Sequence, residues 1–125
     1  MAMRKNIEQQ ITIAFVQYMR QFYPDVFKHL FHIKNESKTS HHADSGVKPG
    51  VPDFFLSMQA GEYHGLYIEF KAPSRRKHKT GGLSAVQVKT IALFKKQGYK
   101  CVVCYDYMSA VDVSLAYLNI TNSSS

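Results

Sequence analysis

Long apolar runs are missing from this chain. No stretch approaches the roughly 20 residues that a membrane-spanning helix needs, and no apolar signal-peptide core follows the N-terminus. The expectation is a soluble intracellular protein with no membrane partner. Cysteine is scarce: Cys101 and Cys104 are the two present, and no second pair exists to complete a zinc site. They lie in Lys-Cys-Val-Val-Cys-Tyr, a β-branched run that reads as a core strand, where residues three apart face opposite sides. The thiols would not share a ligand and read as packing residues. Acidic side chains are also few, nine Asp and Glu against sixteen Lys and Arg, for a net charge of +7. That sign suits a polyanionic partner, because phosphate neutralisation drives nucleic-acid binding, although a solvated basic surface gives the same count. Nor is there length for a second domain. The 125 residues make one unit, with a core over 6–118 and a tail, 119–125, expected to fray.

What the chain does have is concentrated in residues 50–71. Gly-Val-Pro-Asp-Phe-Phe-Leu-Ser-Met is followed, after a polar break, by Gly-Leu-Tyr-Ile-Glu-Phe-Lys. Both are strand-like runs carrying charge at one end: Asp53 opens the first, and Glu69 and Lys71 close the second. Side chains alternate along a strand, so Glu69 and Lys71 share a face while Ile68 and Phe70 enter the core. Antiparallel pairing of the runs brings the start of one beside the end of the other, so Asp53 and Glu69 converge. Two carboxylates can hold a hard divalent cation, and an ammonium beside them can orient water or offset developing charge. That chemistry suits attack on a phosphodiester.

The surrounding elements follow from periodicity. Ile7, Ile11, Phe15, Tyr18, Met19 and Phe22 recur at helical steps, with Asn6 as N-cap and Glu8 in the first turn. Residues 26–34 alternate loosely and read as a first strand. The polar stretch 37–50 reads as a solvated or phosphate-contacting loop, and its adjacent His41 and His42 have poor geometry for holding one metal. Residues 73–83 form a basic loop, Arg75, Arg76, Lys77, His78 and Lys79, with Gly81 and Gly82 to let the backbone move. A charge run is usually only solvated, but one abutting Lys71 can clamp phosphates without reading bases. Ser84 caps a second helix in which Val86, Val88, Ile91, Ala92 and Phe94 supply apolar surface, and Gly98 stops it. A last strand runs over 101–105, and Ser109 caps a final helix.

The pattern Pro-Asp…Glu-x-Lys resembles the PD-(D/E)xK nuclease superfamily. The words Gly46-Val47-Lys48-Pro49-Gly50-Val51-Pro52-Asp53, Gly65-Leu66-Tyr67-Ile68-Glu69-Phe70-Lys71, Ser84-x-x-Gln87 and Gly98-Tyr99 resemble its virus-type replication-repair nuclease (VRR-NUC) branch. The resemblance implies an α/β, restriction-endonuclease-like fold, a small mixed sheet flanked by helices in the order α-β-β-β-α-β-α. It implies Mg²⁺ or Mn²⁺ on Asp53, Glu69 and the backbone carbonyl of Phe70, with no small-molecule cofactor. Glu8 on the first helix would join them directly or through water, Glu36 being the second choice. Lys71 would position the attacking water, and Gln87 would support Lys71 or that water. Similar stand-alone phage and bacterial domains are implied to act as homodimers on branched DNA, cutting four-way (Holliday) junctions in DNA repair in the host cytoplasm. Arg75, Arg76, Lys77, Lys79, His41 and His42 are the candidate DNA contacts. A generic endonuclease on duplex or flap DNA, and a catalytically silent DNA-binding module, are the alternatives.

Overall fold

A computed structural model describes residues 6–34, 46 and 48–122. Helix α1 (Ile7–Phe22) begins where Asn6 accepts the Gln9 N–H at 2.7 Å. Pro24 does more than end it. Its fixed φ suits the first position of a new helix, and it opens the short α2 (Pro24–Phe27). The expected strand over 26–34 is therefore cut to β1 (Leu30–His32). Strands β2 (Phe54–Leu56) and β3 (Leu66–Phe70) follow. A single 3₁₀ turn (Pro73–Arg75) and helix α3 (Ala85–Lys96) then lead to β4 (Lys100–Cys104) and helix α4 (Tyr107–Leu118).

The sheet runs β1-β2-β3-β4, antiparallel from β1 through β3 and parallel between β3 and β4. A parallel step needs a crossover, which α3 supplies. On one face Phe54, Leu56, Leu66, Ile68, Phe70 and Cys104 pack against Phe15 and Met19 of α1 and Val111 and Leu115 of α4. The Phe15 ring meets Phe54 and Phe70 edge-on at 5.3 and 5.4 Å, contacts worth about 0.5–1.5 kcal/mol each beyond their burial. The other face is aromatic: Tyr67 stacks on Phe94 of α3 at 4.4 Å, with Phe55 4.6 Å from Tyr67. Both sides of β3 are thus covered, and its last residues lie in the interior.

Three local expectations change. Helix α3 docks through Gln87, Ile91 and Phe94, spaced at four and three, so Val86 and Val88 stay 46% and 41% exposed instead of joining the core. The cap of α4 is Asp106, whose Oδ1 accepts the N–H and hydroxyl of Ser109 at 2.7 and 2.6 Å. The tail is held further than expected, since the Tyr23 hydroxyl donates to Asn122 at 2.8 Å. Cys101 and Cys104 pair in register with Tyr67 and Phe70 on opposite faces. Burial pushes both thiols up to about 11, the signature of packing residues. No helix among the described residues is long and apolar enough to cross a membrane.

Candidate active site

The register of β2 and β3 builds the site. Phe54 pairs with Ile68, so one step further along the ladder Asp53 stands across from Glu69. Asp53 Oδ2 accepts the Phe70 N–H at 2.8 Å, fixing the carboxylate at the end of β3. The turn that delivers Asp53 requires glycine: Gly50 has φ +94°, and a Cβ there would stand 2.7 Å from Val86 Cγ1 and 2.8 Å from Thr90 Oγ1 of α3.

Glu69 and Lys71 share the face beneath α3 and are 3% and 8% exposed. Glu69 Oε2 lies 3.3 Å from Lys71 Nζ and accepts a hydrogen bond from Gln87 Nε2 at 2.8 Å. Gln87 is itself held, because its Oε1 accepts the Ser84 N–H at 2.9 Å while Ser84 Oγ accepts the Gln87 N–H at 3.1 Å. This capping box aims the amide at the carboxylate. The Gln87 side chain thus bonds Glu69, where Lys71 or the attacking water was the expected partner. Glu69 Oε1 is buried and has no hydrogen-bond partner among the described residues.

Burial pushes Glu69 up to about 7, the Asp53 charge adds to the rise, and Lys71 and Gln87 oppose it. Asp53 is raised too, again by burial. The Phe70 N–H, His32 and Lys71 pull it back, and Glu8 adds negative charge. Two carboxylates removed from water together resist ionisation unless a cation joins them. An orphaned buried oxygen, costing about 1–3 kcal/mol without a partner, fits the same requirement. No group of three or more His, Cys, Asp or Glu suited to a metal exists among the described residues. The two carboxylates and the partnerless Glu69 Oε1 would suit an ion such as Mg²⁺, which accepts one or two carboxylates and keeps several waters.

Asp53 borders two clefts. One, of about 380 Å³, is lined by Asp53, Lys71, Arg75, Gly82, Ser84 and Gln87 among others. The second, of about 290 Å³, lies toward α1 and contains Glu8, Thr12 and His32 beside Asp53. The structure thus brings Glu8 to a cleft that shares Asp53 with, but is separate from, the cleft holding Lys71. It also adds His32, which sequence reasoning missed. His32 pairs with Phe54 in register and stacks on its ring at 4.8 Å; a three-residue strand carries too little periodicity to reveal this. Glu36, His41 and His42 lie outside the described residues.

The basic loop divides. Arg75 Nη2 donates to the Gly82 carbonyl at 3.0 Å and lines the cleft with Lys71. The Arg76 guanidinium sits 5.3 Å over the Tyr105 ring, and the Tyr105 hydroxyl donates to the Gly81 carbonyl at 2.7 Å. Lys77 and Lys79 are exposed outside the cleft. Gly82 serves conformation and close approach: its φ is +96°, and a Cβ would stand 2.9 Å from Arg75 Cβ.

A mixed sheet that gathers two carboxylates and a lysine at one end defines a nuclease-type α/β domain. The VRR-NUC domain family matches residues 2–106. The chain belongs to that family, and with it to the nucleases, hydrolases whose substrate is DNA. Among solved structures, a VRR_NUC domain protein matches with a TM-score of 0.76, covering 94% of this chain and 93% of that one at 21% identity, and so shares the fold. No curated protein matches.

Proposed function

We propose that this protein is a metal-dependent, structure-selective DNA endonuclease that acts as a homodimer on branched DNA, four-way junctions in particular. The observation that carries the reading is the Glu69 carboxylate, buried between Lys71 and Gln87 with one oxygen left for a further partner. Asp53, Glu69 and the Phe70 carbonyl would hold Mg²⁺ or Mn²⁺, with Glu8 adding a contact directly or through water. When bound, the cation supplies charge neutralisation at the phosphate and lowers the pKa of a water. Lys71 would orient a water through its ammonium and offset charge as the water oxygen bonds to phosphorus, the bond to the leaving sugar oxygen breaks, and the water's proton passes to solvent. Gln87 acts through Glu69 by fixing the rotamer of its carboxylate. Arg75, Arg76, Lys77 and Lys79 grip backbone phosphates and carry no base preference.

Selectivity for structure would rest on contacts to phosphates, which sense the path of the backbone and do not read its bases. A dimer would set two such sites about a two-fold axis, matching the symmetry of a four-way junction. The test compares a labelled mobile four-way junction with its matched linear duplex, each in Mg²⁺, Mn²⁺ or EDTA. Paired, metal-dependent nicks in the junction alone are expected. Equal cutting of both substrates would remove the structure selectivity, and tight binding with no cutting would make the domain a silent DNA-binding module.

A further inference from the structure

The carboxylates occupy one end of the sheet. At the other end, where Lys100 pairs with Leu66 in place of Cys104 with Phe70, two hollows of about 530 and 400 Å³ share a border formed by Tyr63 and Lys100. The Lys100 ammonium lies 5.3 Å above the Tyr63 ring. Both are built into the fold. Ala60 and Tyr63 exchange backbone hydrogen bonds at 3.1 and 2.9 Å around a tight turn, which holds the ring at the rim, 38% exposed. Tyr117 forms the facing wall 6.3 Å away, and its hydroxyl donates to the Met58 carbonyl at 2.7 Å. Val102 and Val113 line the floor of the larger hollow, and Lys95 and Tyr99 border the smaller one. Glu62 is the one acid among the described residues lining either.

Rings preset beside apolar walls, with ammonium groups at the rim, match a particular ligand chemistry. A nucleobase offers a flat face to stack on a tyrosine, and its backbone offers a phosphate to a lysine, whatever the base. An acidic peptide would use the lysines and leave the aromatic walls idle; an apolar helix would bury Lys100 without a counter-charge. We propose that this end of the sheet is a second DNA contact, taking bases that a branch point leaves unpaired against Tyr63 and Tyr117, with phosphates on Lys100 and Lys95. The inference rests on the branched-DNA reading above and says how a branch is sensed. Four steps along β4, about 13 Å at ~3.3 Å per residue, separate this contact from the carboxylate end, a span that one strand can bridge.

The experiment measures fluorescence anisotropy of a labelled oligothymidine with the full chain in EDTA, where no cutting interferes. Tyr63→Ala and Lys100→Ala should each weaken the complex by about tenfold, and Tyr63→Phe should bind as the wild type. Melting temperatures should not change. If Tyr63→Ala fails to fold, Lys95→Ala with Lys100→Ala carries the test. Unchanged oligothymidine affinity in folded variants overturns the proposal. So does a shift from dimer to monomer by light scattering at unchanged affinity, which would make the hollows an interface between copies. Protein that binds oligothymidine through Tyr63 yet cuts no DNA would support this contact while overturning the nuclease reading.

Discussion

Replacing Gln87 by alanine separates a surface helix glutamine from one that governs the site. The change deletes the 2.8 Å bond to Glu69 Oε2 and the return bond from the Ser84 N–H. A hydrogen bond to a charged group contributes about 1.5–3 kcal/mol, and losing one of the two capping-box bonds at an exposed helix start costs at most about 1 kcal/mol. Lys71 still holds Glu69 at 3.3 Å, so the lower end of the first range applies. Gln87 favours the ionised form of Glu69, and its removal therefore pushes that carboxylate up from about 7 by roughly one pH unit, since 1.36 kcal/mol is one unit.

The assay is the rate of junction cleavage against pH at Mg²⁺ well below saturation, where, on the proposed reading, a proton and a cation would compete for the same carboxylate. The acid limb of the profile should sit near neutral pH in the wild type and move about one unit higher in Gln87→Ala. Raising Mg²⁺ should pull both limbs to lower pH. At a pH above the acid limb, thermal unfolding should show a decrease of about 2 kcal/mol, the charged hydrogen bond together with the lost cap bond. An acid limb that stays in place while the helix is destabilised would falsify the assignment, leaving Gln87 as a cap alone.

Three further outcomes follow from the same geometry. In EDTA the folded-state carboxyl of Glu69, held near 7 against an ordinary 4.5, binds a proton that the unfolded chain has released. Stability should then fall as pH rises from about 4.5 to about 7, and Mg²⁺ should restore it; denaturant melts across that window that stay flat would refute the burial argument. Asp53→Ala and Lys71→Ala should each lower the cleavage rate by more than about a hundredfold while gel-shift affinity for the junction in EDTA stays near wild type. Neutralising Arg75, Arg76, Lys77 and Lys79 together should reduce the slope of log affinity against log salt by about 0.9 for each phosphate the loop no longer neutralises, and an unchanged slope would free the loop from any role as a clamp.

How much of this could be read in advance depended on the range of the signal. Asp53, Glu69 and Lys71 were legible because strand alternation and antiparallel pairing are local rules, and the observed Phe54–Ile68 register carries them to one place. The helix caps at Asn6 and Ser84 were legible for the same reason. The length of β1 depended on Pro24 favouring a helix start over an extended chain, a competition between neighbours that alternation does not register. Gln87 could be placed near the site, but its partner was set by how α3 rotates onto the sheet. That rotation puts Gln87, Ile91 and Phe94 inward and leaves Val86 and Val88 outside. Binary patterning cannot find it, because an apolar residue on a helix is assigned inward by default.

Charge at the site belongs to this second class. A carboxylate at the end of a solvated strand would ionise like any other, and Glu69 differs because Tyr67, Phe94 and the body of α3 close the face above it. The aromatic layer is thus part of the chemistry. It removes water from Glu69 and so pushes its carboxyl up to about 7, where a bound cation would favour the ionised form. A Phe94→Ala change, far from any reacting atom, should then lower the acid limb of the cleavage profile toward that of an ordinary carboxylate, opposite in sign to Gln87→Ala. One residue admits water and the other withdraws a hydrogen bond, so the two shifts should partly cancel in the double variant. Shifts in the same direction would mean that both substitutions simply loosen the site.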